Sequence, residues 1–363
     1  MHRRDALKRI ASVLPVGVLA HNDVRRPLNA AETPTSLGSA AYGADRTIEL
    51  EIDAETQEAA VASSAAISPN GQIVAAGADD HRIRLWNIAD GSLITQLREH
   101  TDWVRAVAFH PAGKKLASGS DDHSVLLWDL DSHDVAHRFQ AANGVIHNVA
   151  FRPDGKLLAS VGIDDTVRLY DVDAGKLVQE LKCSASDVRA LAFSPNNQKL
   201  AAAGRDGVVR VWDLGDFKPQ ADIPAHRMRI RAIAFTPDGE QFATAGDDRK
   251  LFLWNIDGSR SAALAAPPGR VFSLVFCSQD HLAMGGSDNL IRVLDVRSRR
   301  EIAQLAGHTG SGAWLDCHAD SGMLASAAFD TTVRLWKPQG AARPAAKVTQ
   351  VPTLAPKLDR YQK

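Results

Sequence analysis

The chain has 363 residues, with 42 Lys or Arg side chains against 43 Asp or Glu, so its formal net charge is −1. A balance this close to neutral argues against bulk electrostatic attraction to nucleic acid or to a membrane surface. The three cysteines, Cys183, Cys277 and Cys317, are an odd number without metal-ligand spacing, and this count excludes a disulfide scaffold. The sequence has no phosphate-binding glycine loop, haem-attachment motif or zinc-binding histidine pair, so we expect no cofactor and no metal.

The first twenty residues have the composition of a targeting segment. Arg3 and Arg4 precede a weakly apolar stretch, residues 10–20, whose end at Ala20 offers a small-residue cleavage site. The pattern resembles a bacterial twin-arginine export signal, which implies a periplasmic or secreted protein. The alternative is a basic amphipathic helix in a cytoplasmic protein. A stretch this short, interrupted by Pro15, is not expected to form a stable membrane anchor.

Two further segments lack a pattern that would bury a core. Residues 21–45 are rich in Ala, Pro, Ser, Thr and Gly, and residues 338–363 are rich in Pro, Ala and Lys. We interpret them as a flexible linker and a flexible tail. Residues 46–337, which lie between them, are predicted to form one domain.

One pattern recurs through this domain: an apolar run that ends in Trp or a substitute for it, usually followed by Asp or Asn. The seven positions, spaced 42, 42, 42, 42, 40 and 42 residues apart, are Trp86, Trp128, Tyr170, Trp212, Trp254, Leu294 and Trp336. A fixed period of this size is typical of propeller blades. Within one repeat, residues 104–109, 116–120, 125–129 and 135–139 predict four short strands separated by turns. The sequence therefore predicts an all-β, seven-bladed propeller with four-stranded antiparallel blades.

The last repeat has no fourth strand of its own, because the chain shows no apolar alternation after Lys337. Residues 46–52 alternate apolar and polar side chains at period two, as a half-buried strand does. Pairing this segment with the last blade would close the ring and remove an exposed strand edge. We therefore expect an N-terminal strand to complete the last blade, and we expect a monomeric propeller.

An Asp stands six residues before each Trp-equivalent position, at Asp80, Asp122, Asp164, Asp206, Asp248, Asp288 and Asp330. With this element, the chain from about Arg46 to Lys337 resembles the WD40-repeat family. The resemblance implies that the Asp joins a His, a Ser or Thr and the Trp in a hydrogen-bonded chain within the blade. Three repeats carry the full set: His100, Ser118, Asp122 and Trp128; His226, Thr244, Asp248 and Trp254; and His308, Ser326, Asp330 and Trp336.

A repeated His, Ser and Asp set could also suggest a hydrolase triad. The structural interpretation is favoured, because the set follows the blade period and ends on Trp, whose indole N–H is only a donor. Three repeats have Glu58, Ala142 and Ser184 at the position of the His. We expect blades without the His to be more loosely tied, since a buried polar chain stabilises only when it is fully satisfied.

A surface is the remaining candidate for function. In WD40 propellers, the loop before the first strand and the turn between the second and third strands converge on one face around the central channel, where family members usually bind partners. At these offsets the candidate partner-binding residues are Trp103, Arg105, His147, Arg189, Arg205, Arg229, Arg231, Arg270, Phe272 and Phe329. Arginines flanked by aromatic rings suit acidic peptides, carboxylates or phosphates. The alternative is that these arginines only cover strand surface and pair with aspartates such as Asp187 and Asp247.

Two classes of function compete. The favoured one is a non-enzymatic scaffold that binds a protein or peptide partner, with an acidic partner suggested by the arginines, outside the cytoplasm and without nucleic acid. The alternative is a periplasmic propeller enzyme of the lactonase or hydrolase type, which needs carboxylates and histidines that converge on the channel with perturbed pKa values. The acidic residues follow the blade period, as structural residues do, and this disfavours the enzyme.

Overall fold

The computed structural model describes residues 42–50, 59–140, 144–183 and 186–338. Regular structure in these ranges is entirely β, with 28 strands in seven four-stranded sheets. The first strand of each sheet contacts the first strand of the next, and that of the seventh contacts that of the first. The sheets are therefore the blades of a closed propeller, which confirms the predicted fold. Across the described ranges, no helix is long and apolar enough to cross a membrane.

The strands are numbered along the chain, and within blades 1 to 6 they run from the channel outward. The first strand is β1 (Tyr42–Glu49), and it belongs to blade 7. Blade 1 contains β2 (Ala62–Ile67), β3 (Ile73–Ala78), β4 (Ile83–Asn87) and β5 (Leu93–Leu97). Blade 2 contains β6 (Val104–Phe109), β7 (Lys115–Ser120), β8 (Ser124–Asp129) and β9 (Val135–Gln140). Blade 3 contains β10 (Ile146–Phe151), β11 (Leu157–Gly162), β12 (Thr166–Asp171) and β13 (Lys176–Lys182).

The remaining blades repeat this order. Blade 4 contains β14 (Ala190–Phe193), β15 (Lys199–Ala203), β16 (Val208–Asp213) and β17 (Pro219–Pro224). Blade 5 contains β18 (Ile230–Phe235), β19 (Gln241–Gly246), β20 (Leu251–Asn255) and β21 (Arg260–Leu264). Blade 6 contains β22 (Val271–Phe276), β23 (His281–Gly286), β24 (Ile291–Asp295) and β25 (Arg300–Leu305). Blade 7 contains β26 (Gly312–Cys317), β27 (Leu324–Ala328) and β28 (Thr332–Pro338), followed outward by β1.

Apolar side chains of the inner strands hold neighbouring blades together. Every residue of β11 is buried, and β15 buries four of its five. The apolar clusters span blade boundaries; one of them joins Val211 of blade 4 to Phe242 of blade 5. Small residues in the second strands allow this close approach. At Gly77, for example, an added Cβ would lie 2.6 Å from Val104 Cγ1 of the next blade.

The turn between the first and second strands requires a left-handed residue. Glycine fills this position in five blades, with φ of 68° at Gly71, 75° at Gly113, 76° at Gly155, 74° at Gly239 and 66° at Gly322. Asn197 replaces it in blade 4, with φ of 64°. Glycine adopts such angles without steric cost and Asn tolerates them, so the predicted turns form where the sequence places them.

The N-terminal strand closes the ring as predicted. β1 pairs antiparallel with β28, and Ile48 lies opposite Val333. The backbone N–H of Leu50 extends this pairing by donating to Thr331 O at 3.0 Å. The strand begins at Tyr42, four residues before the predicted boundary, because the buried Tyr42 ring belongs to the apolar cluster between blades 6 and 7. Residues 51–52 of the predicted strand lie outside the described ranges.

The prediction for the cysteines was incomplete. Cys277 and Cys317 form a disulfide, with their Cα atoms 5.5 Å apart, whereas Cys183 is a buried free thiol. Cys277 follows the inner strand of blade 6, and Cys317 ends the inner strand of blade 7. Their separation of 40 residues is close to the blade period, which brings equivalent ends of neighbouring inner strands together. An odd cysteine count therefore excluded a multi-bridge scaffold but not this single link between blades.

Candidate binding face at the channel mouth

One end of the central channel opens into a cavity of about 310 Å³. We call its lining the channel mouth, and it consists of Ser63, Arg105, His147, Arg189, Arg231, Phe272, Trp314 and Phe329. Six of these residues were predicted from their repeat offsets. Ser63 was missed although it has the same offset in blade 1 as Arg105 in blade 2, and Trp314 was missed because it stands one position beyond the equivalent offset in blade 7.

Two arginines of the channel mouth are fixed by two-point ion pairs. Arg105 Nε and Nη2 lie 2.8 and 2.6 Å from the carboxylate oxygens of Asp121. Arg231 Nε and Nη2 lie 2.9 and 3.1 Å from those of Asp247. The Arg105 guanidinium also lies 4.2 Å from the ring centroid of Trp103, a cation–π contact. A two-point contact of this kind fixes the orientation of a guanidinium and balances its charge.

Asp187 lies at the centre of a second group. Its carboxylate lies 2.8 Å from Arg189 Nε and 2.5 Å from Arg229 Nη2. His147 Nε2 is 3.1 Å from Asp187 Oδ1, in contact although not aligned as a hydrogen bond. Burial acts to raise the pKa of Asp187, but contact with His147 and the charges of Arg189 and Arg229 outweigh it and hold that pKa far below its usual range. Burial lowers the pKa of His147, so the arginines supply the positive charge here.

Aspartates therefore balance part of the positive charge of the predicted arginine cluster. Four arginines share three aspartates; these residues are Arg105, Arg189, Arg229, Arg231, Asp121, Asp187 and Asp247. This is the pairing that the alternative interpretation described, and it leaves one positive charge in excess. Arg205 and Arg270 are exposed and make no ion pair within the described ranges, so they add to this excess.

Exposed apolar side chains lie on the same face. Ile163, Met228 and Phe329 have relative exposures of 48%, 50% and 49%. They belong to the strand-connecting turns of blades 3 and 7 and to the loop that precedes the first strand of blade 5. Large apolar side chains exposed beside a rim of charge are typical of a surface that binds protein.

The three predicted polar chains have hydrogen-bonded geometry. In blade 2, His100 Nδ1 lies 2.7 Å from Asp122 Oδ2 and Nε2 lies 2.7 Å from Ser118 Oγ, which accepts the Trp128 indole N–H at 2.8 Å. Blades 5 and 7 repeat these contacts within 3.0 Å, through His226, Thr244, Asp248 and Trp254, and through His308, Ser326, Asp330 and Trp336. The hydroxyl-bearing residues are fully buried, so a substrate could not reach them. Each hydrogen-bonded set therefore links a loop to its blade, and its hydroxyl group is not placed for nucleophilic attack on a substrate.

Comparison with known proteins identifies these repeats. The family model described as "WD domain, G-beta repeat" matches residues 54–87, 91–129, 175–213, 217–255 and 299–337, which together are more than half of the chain. The chain belongs to the WD40 repeat family. A model for the WD40 domain of anaphase-promoting complex subunit 4 matches residues 140–188. Neither model covers most of blade 6, where Leu294 stands at the Trp position.

One curated relative is similar over a short segment. Cell division control protein 4 of Saccharomyces cerevisiae is 37% identical over 71 residues, which are 19% of this chain and 9% of that protein. The aligned part is far less than the length of the relative, so the similarity concerns the repeats. WD40 propellers are generally non-catalytic scaffolds that bind proteins.

The WD40 blades that lack the His use a substitute that sequence reasoning missed. In each of them the repeat-position Asp pairs with an Arg four residues later, in the pairs Asp80–Arg84, Asp164–Arg168, Asp206–Arg210 and Asp288–Arg292. The Arg84 and Arg210 side chains are only 2% and 7% exposed. The signal was present in the sequence as an Arg two positions before the Trp-equivalent residue. The expectation that the loops of these blades are held more weakly therefore overlooked an ion pair in each blade. Glu58, Ala142 and Ser184, which replace the His in the sequence, lie outside the described ranges.

The channel mouth does not resemble a metal or catalytic centre. Within the ranges that the structure describes, no group of three or more His, Cys, Asp or Glu side chains is arranged to hold a metal ion. The carboxylates of Asp121, Asp187 and Asp247 all accept from arginines. A carboxylate held in this way is a poor general base, because its oxygens are already occupied by guanidinium donors.

Proposed function

We propose that this WD40 propeller is a non-catalytic scaffold that binds an anionic protein or peptide on the face around the channel mouth. The observation that carries the proposal is the excess positive charge there, formed by four arginines on three aspartates together with the exposed Arg205 and Arg270. Their fields add near one opening and favour the approach of an anion. The exposed Ile163, Met228 and Phe329 supply apolar anchoring area beside the charge.

Charge reversal at the two exposed arginines tests this proposal. Arg205→Glu combined with Arg270→Glu should weaken binding of an anionic partner by about tenfold or more and reduce its salt dependence, because both charges act through solvent. Neither side chain is engaged in an ion pair within the described ranges, so the melting temperature should not change. Arg229 is unsuitable for this test, since a Glu there would face Asp187 instead of pairing with it at 2.5 Å.

The matched control is Arg299→Glu with Arg300→Glu, which reverses two exposed charges at the outer edge of blade 6. A partner would first be captured with the wild-type protein, and its affinity for all three proteins would then be measured by calorimetry at two salt concentrations. Equal affinities for the wild type and the Arg205 and Arg270 variant would show that the binding surface lies on the opposite face or along the blade edges.

We also propose that the protein is exported by the twin-arginine route. Two observations support this: the pair Arg3 and Arg4 before an apolar stretch, and the disulfide between Cys277 and Cys317. Structural disulfides persist in oxidising compartments and are rare in the cytoplasm of most organisms. Residues 1–41 lie outside the described ranges, so the signal itself stays a prediction.

Export should depend on the arginine pair. Arg3→Lys with Arg4→Lys keeps the charge but removes the pair, so the variant should remain in the cytoplasm, uncleaved and with Cys277 and Cys317 as thiols. Arg9→Lys, the same change outside the pair, should leave export intact. Cell fractionation with a thiol-reactive gel-shift reagent measures both results. An unchanged distribution of the double variant would favour the cytoplasmic amphipathic helix.

A further inference from the structure

The channel mouth is chemically divided around its circumference. Blades 2, 4 and 5 contribute Arg105, Arg189 and Arg231, whereas blades 6 and 7 contribute the aromatic rings of Phe272, Trp314 and Phe329. Cationic and aromatic side chains therefore line different parts of one cavity of about 310 Å³. A cavity of this size lies at the lower end of the range for small-molecule sites and holds about one or two amino-acid residues.

The guanidinium groups present unused donors to this cavity. Arg105 and Arg231 each use Nε and Nη2 for an aspartate, so Nη1 makes no hydrogen bond within the described ranges. Arg189 uses only Nε, on Asp187, which leaves both of its Nη groups available. Because the aspartates fix these side chains, an incoming anion would meet donors that need little reordering.

The ion-paired arginines at the channel mouth can accept one further negative charge. Four arginines on three aspartates leave one positive charge uncompensated, and His147 adds none because burial lowers its pKa. Arg189 lies beside Arg229 and Arg231, so like charges crowd at this point. A ligand with one carboxylate would balance the excess within this ion-paired group.

The aromatic wall specifies what should lie beside that carboxylate. The Phe329 side chain is 49% exposed, and Trp314 is only partly buried against the cores of its neighbours. The Arg231 guanidinium lies 5.7 Å from the Phe272 ring centroid, which places apolar surface directly beside a cation. An apolar group inserted here would cover surface that now faces the channel.

We infer that the channel mouth binds one carboxylate borne next to an apolar group, such as the C-terminus of a peptide that ends in an apolar residue. This inference rests on the proposed function and names the chemistry that its central pocket recognises. Arg189 holds the carboxylate through its two Nη groups, and Phe272, Trp314 and Phe329 contact the apolar side chain.

The test uses the full chain and four fluorescein-labelled peptides of one parent sequence, Gly-Ser-Gly-Ser-Leu-Phe. The first has a free C-terminal carboxylate, and the second has a C-terminal amide. The third and fourth are amides that carry an Asp or a phosphoserine before the Phe. Anisotropy titrations would compare the wild type with Arg189→Gln, Phe272→Ala and the control Arg152→Gln, which removes an ion-paired Arg from a turn at the other end of the blades.

We expect the free-carboxylate peptide to bind the wild type about tenfold tighter than its amide. Arg189→Gln should abolish this ratio without unfolding the protein, since Asp187 keeps its contact with Arg229, and Arg152→Gln should preserve the ratio. Phe272→Ala should weaken the peptide but keep the ratio. If the amide peptide with Asp binds as tightly as the free-carboxylate peptide, the carboxylate that the site binds can belong to an acidic side chain. If it binds as weakly as the plain amide, the site is specific for a C-terminal carboxylate.

Three outcomes would overturn the inference: no binding of the free-carboxylate peptide up to about 1 mM, an unchanged carboxylate ratio in Arg189→Gln, or tighter binding of the phosphoserine peptide. None of them would contradict the proposed function, which is tested separately by the charge reversal at Arg205 and Arg270. A partner that responds to that reversal but not to Arg189→Gln would bind the rim without entering the channel mouth.

Discussion

Deletion of residues 42–50 should unfold the propeller instead of loosening a single blade. The segment 42–50 buries Tyr42, Ile48 and Leu50, whose exposures are 8%, 6% and 3%. Burial of a large apolar side chain contributes about 1.5–3 kcal/mol, so the three together contribute about 4.5–9 kcal/mol. The total stability of a domain is about 5–15 kcal/mol. The deletion would also leave β28 as an exposed strand edge, which favours aggregation.

A matched pair of substitutions separates this effect from simple truncation. Ile48→Asp places a carboxylate in the core between blades and should abolish the cooperative melting transition. Thr47→Asp changes the preceding residue, which is exposed on the opposite face of β1, and should have little effect. A synthetic peptide of residues 42–50 added to the truncated chain should restore part of the transition. If the truncated protein melts like the wild type, ring closure by β1 does not stabilise the fold.

The fold could be predicted from the sequence because every blade of a propeller needs the same short sequence pattern. Each repeat presents the same turn, the same alternation and the same Asp, so one substituted position such as Tyr170 or Leu294 does not hide the period. The start of β1 was not readable, because a single Tyr among Ala and Gly residues gives no periodic signal. Only the packing of Tyr42 between blades 6 and 7 shows that the strand begins there.

The position of the channel mouth could be predicted from the sequence, but the ion pair between neighbouring blades was missed. Repeat offsets placed Arg105, Arg189 and Arg231 around one opening, as the structure has them. Each of these arginines pairs with an aspartate of its own repeat, whereas the pair Arg229–Asp187 joins blade 5 to blade 4 and depends on the tertiary structure. One signal was available: Arg229 and Asp187 occupy the same offset in neighbouring repeats, 42 residues apart, and equivalent positions in neighbouring blades lie side by side.

The Asp206→Ala substitution should destabilise the protein at least as much as Asp122→Ala, although the blade of Asp206 lacks the His. In blade 2, removal of Asp122 leaves His100 with an unsatisfied buried N–H, which costs about 1–3 kcal/mol. In blade 4, Arg210 is 7% exposed, hydrogen-bonds Asp206 at 2.6 Å, and has no other partner for its buried Nε and Nη1. Loss of Asp206 would leave a buried guanidinium without this carboxylate, which costs about 3–5 kcal/mol when both partners are buried and somewhat less here, since Asp206 is 30% exposed.

A second substitution distinguishes this cost from loss of the turn. Blade 2 has Leu126 at the position that Arg210 occupies in blade 4, so Arg210→Leu is a replacement that the fold already uses. If the penalty comes from an uncompensated charge, Asp206→Ala with Arg210→Leu should recover most of the stability lost in Asp206→Ala alone. If it comes from the Asp206 side chain accepting the Val208 N–H in the turn, the double variant should remain as unstable as the single one. Urea unfolding of the two single variants, the double variant and Asp122→Ala measures these differences, and a loss at Asp206 well below that at Asp122 would contradict the role assigned to the ion pair.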